Sequence, residues 1–443
     1  MMPVMLWTDM LLWGVVASVA VWVWRRLGSH TPSSMGAIFH SKRAMASGVI
    51  LMLYLGLALA DSVHFRLQTS SDTRIVSLMD LAMYHTKEAT ERTYSAPFAT
   101  TEYSKSIVVD AKGTVTQHYL PLKHVATEAS RMGGYVAFGL SFGGMLLFVL
   151  LHAWWLSKGR LQLLWQQLKK GTLRYPWHVA YATLMVVGTL LLWLYLMSFS
   201  YHVLGTDKVG EDIFYASLKS IRTGVLIGVL TTLVTLPLAL LLGVSAGYFR
   251  GWVDDAIQYL YTTLSSIPGV LLIAAGVLSM QVMMQRHPEA FSTALERADM
   301  RLLFLILILG VTSWTGLCRM VRAETLRIAQ LDYVKAAKAF GMGGWQMMLR
   351  HIIPNLSHIV LISIVLDFSG LVLAEAVLSY VGVGVDPTTY SWGNMINQAR
   401  LEMAREPMVW WSLASAFAFM FVLVLSANLL ADRVQEVLNP RSR

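Results

Sequence analysis

The sequence predicts an all-α integral membrane protein of about nine transmembrane helices, and three observations predict it. Hydrophobic residues make up 56% of the 443 and charged residues only 14%, with a mean hydropathy of +0.55, whereas a soluble domain is about one quarter charged. Nine stretches are apolar over roughly the 20 residues that a helix needs to cross about 30 Å of hydrocarbon. The basic residues gather in short loops on alternate sides of those stretches, as insertion into a membrane requires.

The stretches lie near 7–24, 44–62, 134–156, 178–203, 219–246, 257–283, 301–320, 356–383 and 409–430, with kinks expected at Pro237 and Pro268. The first has no basic segment ahead of it and no obvious small-residue cleavage site, so it reads as a retained span rather than a signal peptide. Loops 25–43, 157–174, 321–355 and 433–443, with Arg250, hold 18 Lys and Arg; loops 204–218, 284–300 and 384–408 hold 5. Basic loops stay cytoplasmic, so the N-terminus is expected outside and the C-terminus inside. The net charge of +9, from 35 basic and 26 acidic residues, is thus a topology signal and not a sign of nucleic-acid binding.

Catalysis finds little support. Cys318 is the single cysteine, so neither an intrachain disulfide nor a cysteine-based metal site can form. There is no Gly-Lys dipeptide and hence no phosphate-cradling P-loop, and no HExxH. The one GxSxG match, around Ser141, falls inside a span where no strand-turn-helix elbow can expose the serine. No catalytic residue, metal site or bound cofactor is expected.

Two segments between spans carry information. Residues 63–132 form a translocated segment of about 70 residues; Ile107–Val109, Asp110–Gly113 and Thr114–Thr116 read there as a hairpin with a glycine-containing turn. His64, His85, His118 and His124 lie in it at spacings that match no metal signature. Residues 321–355 are too polar for lipid and too apolar for a linker. Asp332 to Phe340 favours a helix, Ala336 and Ala337 allow close approach of another surface, and Gly341 suits a left-handed helix terminus. A second helix near Trp345 to Arg350 is expected before Pro354 opens the next span. These residues alone fit either an amphipathic hairpin on the headgroups or a docking element.

The run AAxxxG followed by RHIIPN resembles the cytoplasmic EAA loop of ABC importer permeases. Further blocks match in order: LGTDKVGEDIF at 204–214, GYFRGWVDD at 247–255, SIPGVLL at 266–272, DYVKAAKAFG at 332–341, LAEAVLSYVGVGV at 373–385, SWGN at 391–394 and NLLADRVQEVLNPR at 428–441. Residues 204–443 are similar to permease subunits of the dipeptide, oligopeptide and nickel importer family. The resemblance implies a six-helix permease domain, 171–443, preceded by a three-helix extension, 1–170. It also implies that Asp332, Tyr333, Lys335, Ala336, Ala337, Gly341, Arg350 and Pro354 couple the chain to an ATPase. Implied partners are a second homologous permease, two ATPase subunits that use ATP and Mg, and a periplasmic solute-binding protein, all at a bacterial inner membrane. Lys335 stands where the motif has glutamate, Glu211 where the family usually has arginine, and Arg250 where glycine is common.

Inside the spans, Asp367 and Glu375 are the candidates to line a pathway, because a lipid-facing carboxylate at mid-membrane costs several kcal/mol. Eight residues apart, they lie about 80° from eclipsed on one helix. Trp392, Trp410 and Trp411 read as an interfacial belt. Two other functions stand beside an importer subunit: an ion-coupled carrier with Asp367 and Glu375 as its ion sites, and a membrane scaffold or sensor working through 63–132.

Overall fold

The computed structural model describes residues 2–27, 34–69, 72–109, 115–125, 133–156, 175–287 and 293–438. The chain runs β1 (Met2–Val4), α1 (Trp7–Leu27), α2 (Lys42–Asp61), β2 (His64–Thr69), β3 (Asp72–Ser77), α3 (Leu78–Ala82), β4 (Ser106–Val109), β5 (Val115–His118), α4 (Gly134–Leu156) and α5 (Trp177–Met197). It continues through α6 (Ile213–Phe249), α7 (Gly251–Ser266), α8 (Gly269–Arg286), α9 (Ala294–Ile328), α10 (Asp332–Ala339), α11 (Gly344–Met347), α12 (Ser357–Tyr380), α13 (Trp392–Glu402) and α14 (Trp411–Leu438).

Among the described residues eight helical stretches are long and apolar enough to cross a membrane, and Trp7–Val21 of α1 adds a shorter apolar one. The nine-span expectation stands, with one correction. The stretch 257–283 is not one helix: it breaks between α7 and α8 at Ile267 and Pro268. Proline has no N–H to carry the helix onward and restricts the residue before it. Pro237, by contrast, sits inside α6 without ending it. α6 and α9, at 37 and 35 residues, reach roughly 55 Å at 1.5 Å per residue, well beyond the hydrocarbon.

Two compact units are each assembled from separated stretches. The first takes residues 1–5, 32–223 and 390–430. Within it α5 packs against both α2 and α4. β1, β2 and β3 form an antiparallel sheet that the sequence had not suggested. The expected hairpin is present as β4 and β5, pairing Ser106 with His118 and Val109 with Val115; its turn lies outside the described residues. The segment from Glu91 to Phe98 is tied by main-chain bonds to the stretch 202–210: Glu91 N donates to Gly210 O (3.0 Å), Phe98 N to His202 O (3.0 Å) and Thr206 N to Ser95 O (3.1 Å). Below it Lys219 is enclosed by Asp61 (3.1 Å) and Asp80 (2.5 Å).

The tryptophan belt needs correcting in the same unit. Trp410 is exposed, but Trp392 and Trp411 are buried. Their indole N–H groups donate to Ser217 O (3.2 Å) and Thr206 O (3.0 Å), which satisfies the one polar atom that would otherwise draw an indole to an interface.

The second unit takes 6–31, 224–389 and 431–443, and in it α9 packs against α1, α7, α8 and α12. α6 lies close against α9 through the spacing Gly243-Val-Ser-Ala-Gly247. A Cβ at Gly243 would stand 2.8 Å from Cys318 O, and one at Gly247 2.6 Å from Thr325 Cβ, the close backbone approach that small residues four apart permit between membrane helices. Thr8 of α1 hydrogen-bonds Asp299 of α9 through its hydroxyl and its N–H.

Candidate functional site

The segment 321–355 folds as a hairpin. α10 begins at Asp332, whose carboxylate favours the positive end of a helix. It ends in a Schellman turn: Gly341 N donates to Lys338 O (3.0 Å) and Met342 N to Ala337 O (3.2 Å), with Gly341 at φ 82. Only a glycine takes that conformation freely, so the sequence reading of Gly341 is borne out.

The chain returns through α11, a π-helical turn Met348–Ile352 and a 3-10 turn Ile353–Leu356 that leads into α12. The irregularity follows from Pro354. It has no N–H to give to the carbonyl four residues back, and its ring crowds that turn; Ile353 N instead reaches Met348 O, five back. Asn355 Nδ2 donates to Tyr333 OH (3.0 Å) and to His351 O (2.6 Å), which pins the two arms together.

Val334, absent from the sequence candidates, is the one buried residue of α10. It joins a core that includes Met347, Met348, Ile352 and Leu356 from the returning arm, Cys318, Val321 and Ile328 of α9, and Ile257 and Tyr261 of α7. The rest of α10 is turned outward. Asp332, Tyr333, Lys335 and Ala336 are exposed, as are Gly341, Arg350 and Pro354, and Ala337 is half-buried. Lys335 lies 3.8 Å from Asp332, an exposed pair of little energetic weight.

Two apolar side chains that sequence reasoning passed over stand out: Phe340 is 91% exposed and Trp345 59%. Their signal was there, since both flank the glycine turn in a segment too polar for lipid. The hairpin thus has one face sunk in the helix bundle and exposed aromatic side chains on the other.

The two membrane carboxylates differ. Glu375 is 2% exposed and accepts a hydrogen bond from Ser379 Oγ (2.7 Å). Asp367 is half-buried, near the middle of α12 and on the flank of its exposed stripe, Leu366, Gly370, Leu373 and Val377. Among the described residues none pairs with it.

Elsewhere the structure brings together what the sequence left apart. His202 Nδ1 lies 2.7 Å from Asp212 Oδ2 and Nε2 3.6 Å from Glu91 Oε1, with the His124 ring 4.9 Å away. His85 stacks on Phe199 at 3.8 Å, and burial, then the nearby His124, draw its pKa below the ordinary histidine value. Among the described residues no three His, Cys, Asp or Glu side chains form a group that could hold a metal. Ser141 lies in α4 and donates to Ala137 O (2.8 Å), a bond within the helix. Glu211 accepts from Tyr390 OH (3.3 Å). Arg250 has φ 57, which explains why a glycine is the easier residue there.

Residues 239–443 match the family model described as binding-protein-dependent transport system inner membrane component. Over 242 residues, 55% of this chain, the sequence is 30% identical to a glutathione transport system permease protein, GsiD, of Pectobacterium atrosepticum, and covers 73% of that protein. An oligopeptide transport system permease protein, OppC, of Mycobacterium bovis is 28% identical, with 77% of its length covered. A dipeptide transport system permease protein, DppC, of Bacillus subtilis is 27% identical, with 69% covered.

Proposed function

The chain belongs to the family of binding-protein-dependent transport system inner membrane components, and from that premise we propose that it is one of two membrane-spanning subunits of an ATP-driven importer of peptides or similar small solutes. Its partners are a second homologous permease, two ATPase subunits that bind the ATP and Mg, and a solute-binding protein that delivers cargo from outside. In this reading the chain sits in a bacterial inner membrane, N-terminus out and C-terminus in, and 171–443 is the permease domain with 1–170 an added three-helix extension.

The observation that carries the proposal is the hairpin. A coupling element must be rigid, must be joined to the membrane helices, and must present a face for a partner. Val334 supplies the joint, the Schellman turn and the Asn355 bonds supply rigidity, and Phe340, Trp345 and Tyr333 supply the face. Asp332, Tyr333, Lys335, Ala336, Ala337 and Gly341 form the contact strip, with Arg350 and Pro354 on the returning arm. Lys335 asks for an acidic or neutral counterpart on the ATPase.

Asp367 lines the translocation pathway in this reading. An unpaired carboxylate at mid-span is tolerated where it meets water or a cation. Glu375, buried and bonded to Ser379 within α12, stays away from the pathway in this reading. Alternating access follows when ATP-driven closure of the ATPases displaces the hairpin and tilts the helices that share its core.

The test is affinity purification of the tagged chain from gently solubilised membranes with mass spectrometry of what stays bound, followed by reconstitution. Two ATPases and a second permease are expected, with solute-stimulated ATP hydrolysis that is lost when Ala336–Gly341 is replaced. Full stimulated hydrolysis after that replacement would refute the coupling role. Asp367 also suits an ion-coupled carrier, and transport by the isolated chain without ATP would favour that reading.

A further inference from the structure

α7 is bounded by two breaks. At its start Arg250 adopts φ 57 and ψ −165, and Gly251 follows with φ 54. This is a backbone conformation that non-glycine residues hold only where their surroundings over-determine it, and such outliers concentrate at moving or functional joints. At its end Ile267 and Pro268 interrupt the helix before α8. Between the breaks one face is buried: Asp254, Ile257 and Tyr261, spaced three and four apart.

That face meets α9. Arg322 grips Asp254 with both ends of its fork, Nε to Oδ1 at 2.5 Å and Nη2 to Oδ2 at 2.7 Å, the strongest and most directional ion-pair geometry. The guanidinium holds the Asp254 carboxyl below the usual carboxylate range. One turn earlier on α9, the Arg319 guanidinium lies 5.5 Å from the centre of the Tyr261 ring. Ile257 and Tyr261 then enter the same core that receives Val334 of α10 and Met347 and Ile352 of the returning arm.

A helix bounded by backbone breaks at both ends and clamped in the middle to the helix that carries the hairpin has the build of a lever. We propose that Asp254 and Arg322 form a coupling joint, carrying displacement of the 332–356 hairpin through α9 into α7 and, past Pro268, into α8. The proposal rests on the importer reading. Both residues are positioning residues and touch neither solute nor nucleotide. The fork matters: lysine in place of Arg322 keeps the charge but offers a single point contact that lets α7 swing.

The test uses the assembled complex. In a Cys318→Ser background, spin labels are placed at Tyr259 on the outward face of α7 and at Gln346 in the hairpin, both exposed, and distances are measured before and after trapping with ATP, Mg and vanadate. With the joint intact the two labels move as one body, and their separation holds within about 2 Å. In Arg322→Lys and in Asp254→Asn, trapping changes the separation by several Å or broadens it, while ATPase subunits stay bound. The reversed pair Asp254→Arg with Arg322→Asp restores the constant distance. A constant separation in both single variants overturns the joint with the importer reading intact, as does a changing one in the unaltered chain. Failure of the unaltered chain to retain ATPases overturns the importer reading, and the joint with it.

Discussion

Lys219→Met is the substitution whose effect the structure constrains most tightly. Lys219 is 13% exposed and lies between Asp61 and Asp80, themselves 3% and 8% exposed. The group is electrically closed: Asp80 also holds Lys87 at 2.8 Å, and Asp61 accepts from Ser77 Oγ at 2.6 Å. Burial opposes ionisation of Asp80, yet the Lys219 charge and hydrogen bond, with those of Lys87 and Tyr215, hold its carboxyl well below the ordinary range. Methionine fills the volume of lysine but removes the cation. Asp80 keeps Lys87, whereas Asp61 is left buried without a counter-charge, a change worth roughly 3–5 kcal/mol. At about 2–4 °C per kcal/mol for a unit of some 200 residues, the apparent Tm in detergent should fall by roughly 6–20 °C. Tryptophan fluorescence during a slow temperature ramp reads it. Asp61→Asn added to Lys219→Met restores neutrality and should recover most of the loss. A single variant within 2 °C of the parent, or a double variant no better than the single, would refute the reasoning.

Phe340→Ala should leave the fold intact and weaken association with the ATPase subunit by about one to two orders of magnitude, since a buried phenylalanine contributes roughly 1.5–3 kcal/mol; biolayer interferometry on the reconstituted chain reads it, and unchanged affinity would remove the aromatic face from the interface. Arg250→Gly should stabilise the chain by about 1 kcal/mol, because relief of the positive φ outweighs the added freedom of glycine in the unfolded state; a lower apparent Tm would show that the Arg250 side chain matters more than its backbone. The carboxyl of Asp207 is pushed up to about 6, first by burial and also by the Glu211 charge, against the N–H groups of Glu211, Val209 and Gly210. Between its ordinary value of 3.8 and about 6 the folded chain holds a proton that the unfolded chain has lost, so Asp207 makes stability decline as pH rises through that window and level off above it. Asp207→Asn should flatten that part of the Tm profile, and identical slopes for parent and variant would place the titration elsewhere.

The spans and the hairpin were legible because both are written in local chemistry. Twenty apolar residues specify a membrane helix whatever surrounds them, and Gly341 after an alanine-rich run specifies a helix stop. What escaped depends on partners distant in sequence. Trp392 and Trp411 looked interfacial until their N–H groups found Ser217 and Thr206 carbonyls, 175 and 205 residues away. Val334 is one apolar residue in a polar helix, and its weight comes from Met347 and Ile352 on the other arm. Asp254 and Arg322, 68 residues apart, were visible as charges and invisible as a pair. The strands β2 and β3 lack clean alternation, and the pairing of β2 with β1, which precedes α1, has no local signature.

The contact between residues 61–98 and the stretch 202–219 shows the same limit at larger scale. The segment 91–98 reaches the stretch 202–210 mainly through main-chain atoms, and main-chain bonds leave no trace in residue choice. The receiving loop is recognisable only by its glycines: Gly205 and Gly210 have φ 76 and 80, and a Cβ on them would stand 2.4 Å from Ser95 O and 2.0 Å from Glu91 O. A side chain is thus excluded at those two positions, the Thr206 hydroxyl between them accepts from Ser95 N and donates to Thr93 O, and Lys219 is neutralised by the carboxylates of Asp61 and Asp80. A segment that closes over a loop by backbone contact and completes its charge balance is built in with that loop, so the stretch from Asp61 to Phe98 folds together with the start of α6. On these grounds a chain lacking Asp61 to Phe98 would expose both a buried cation and a run of unpaired backbone groups.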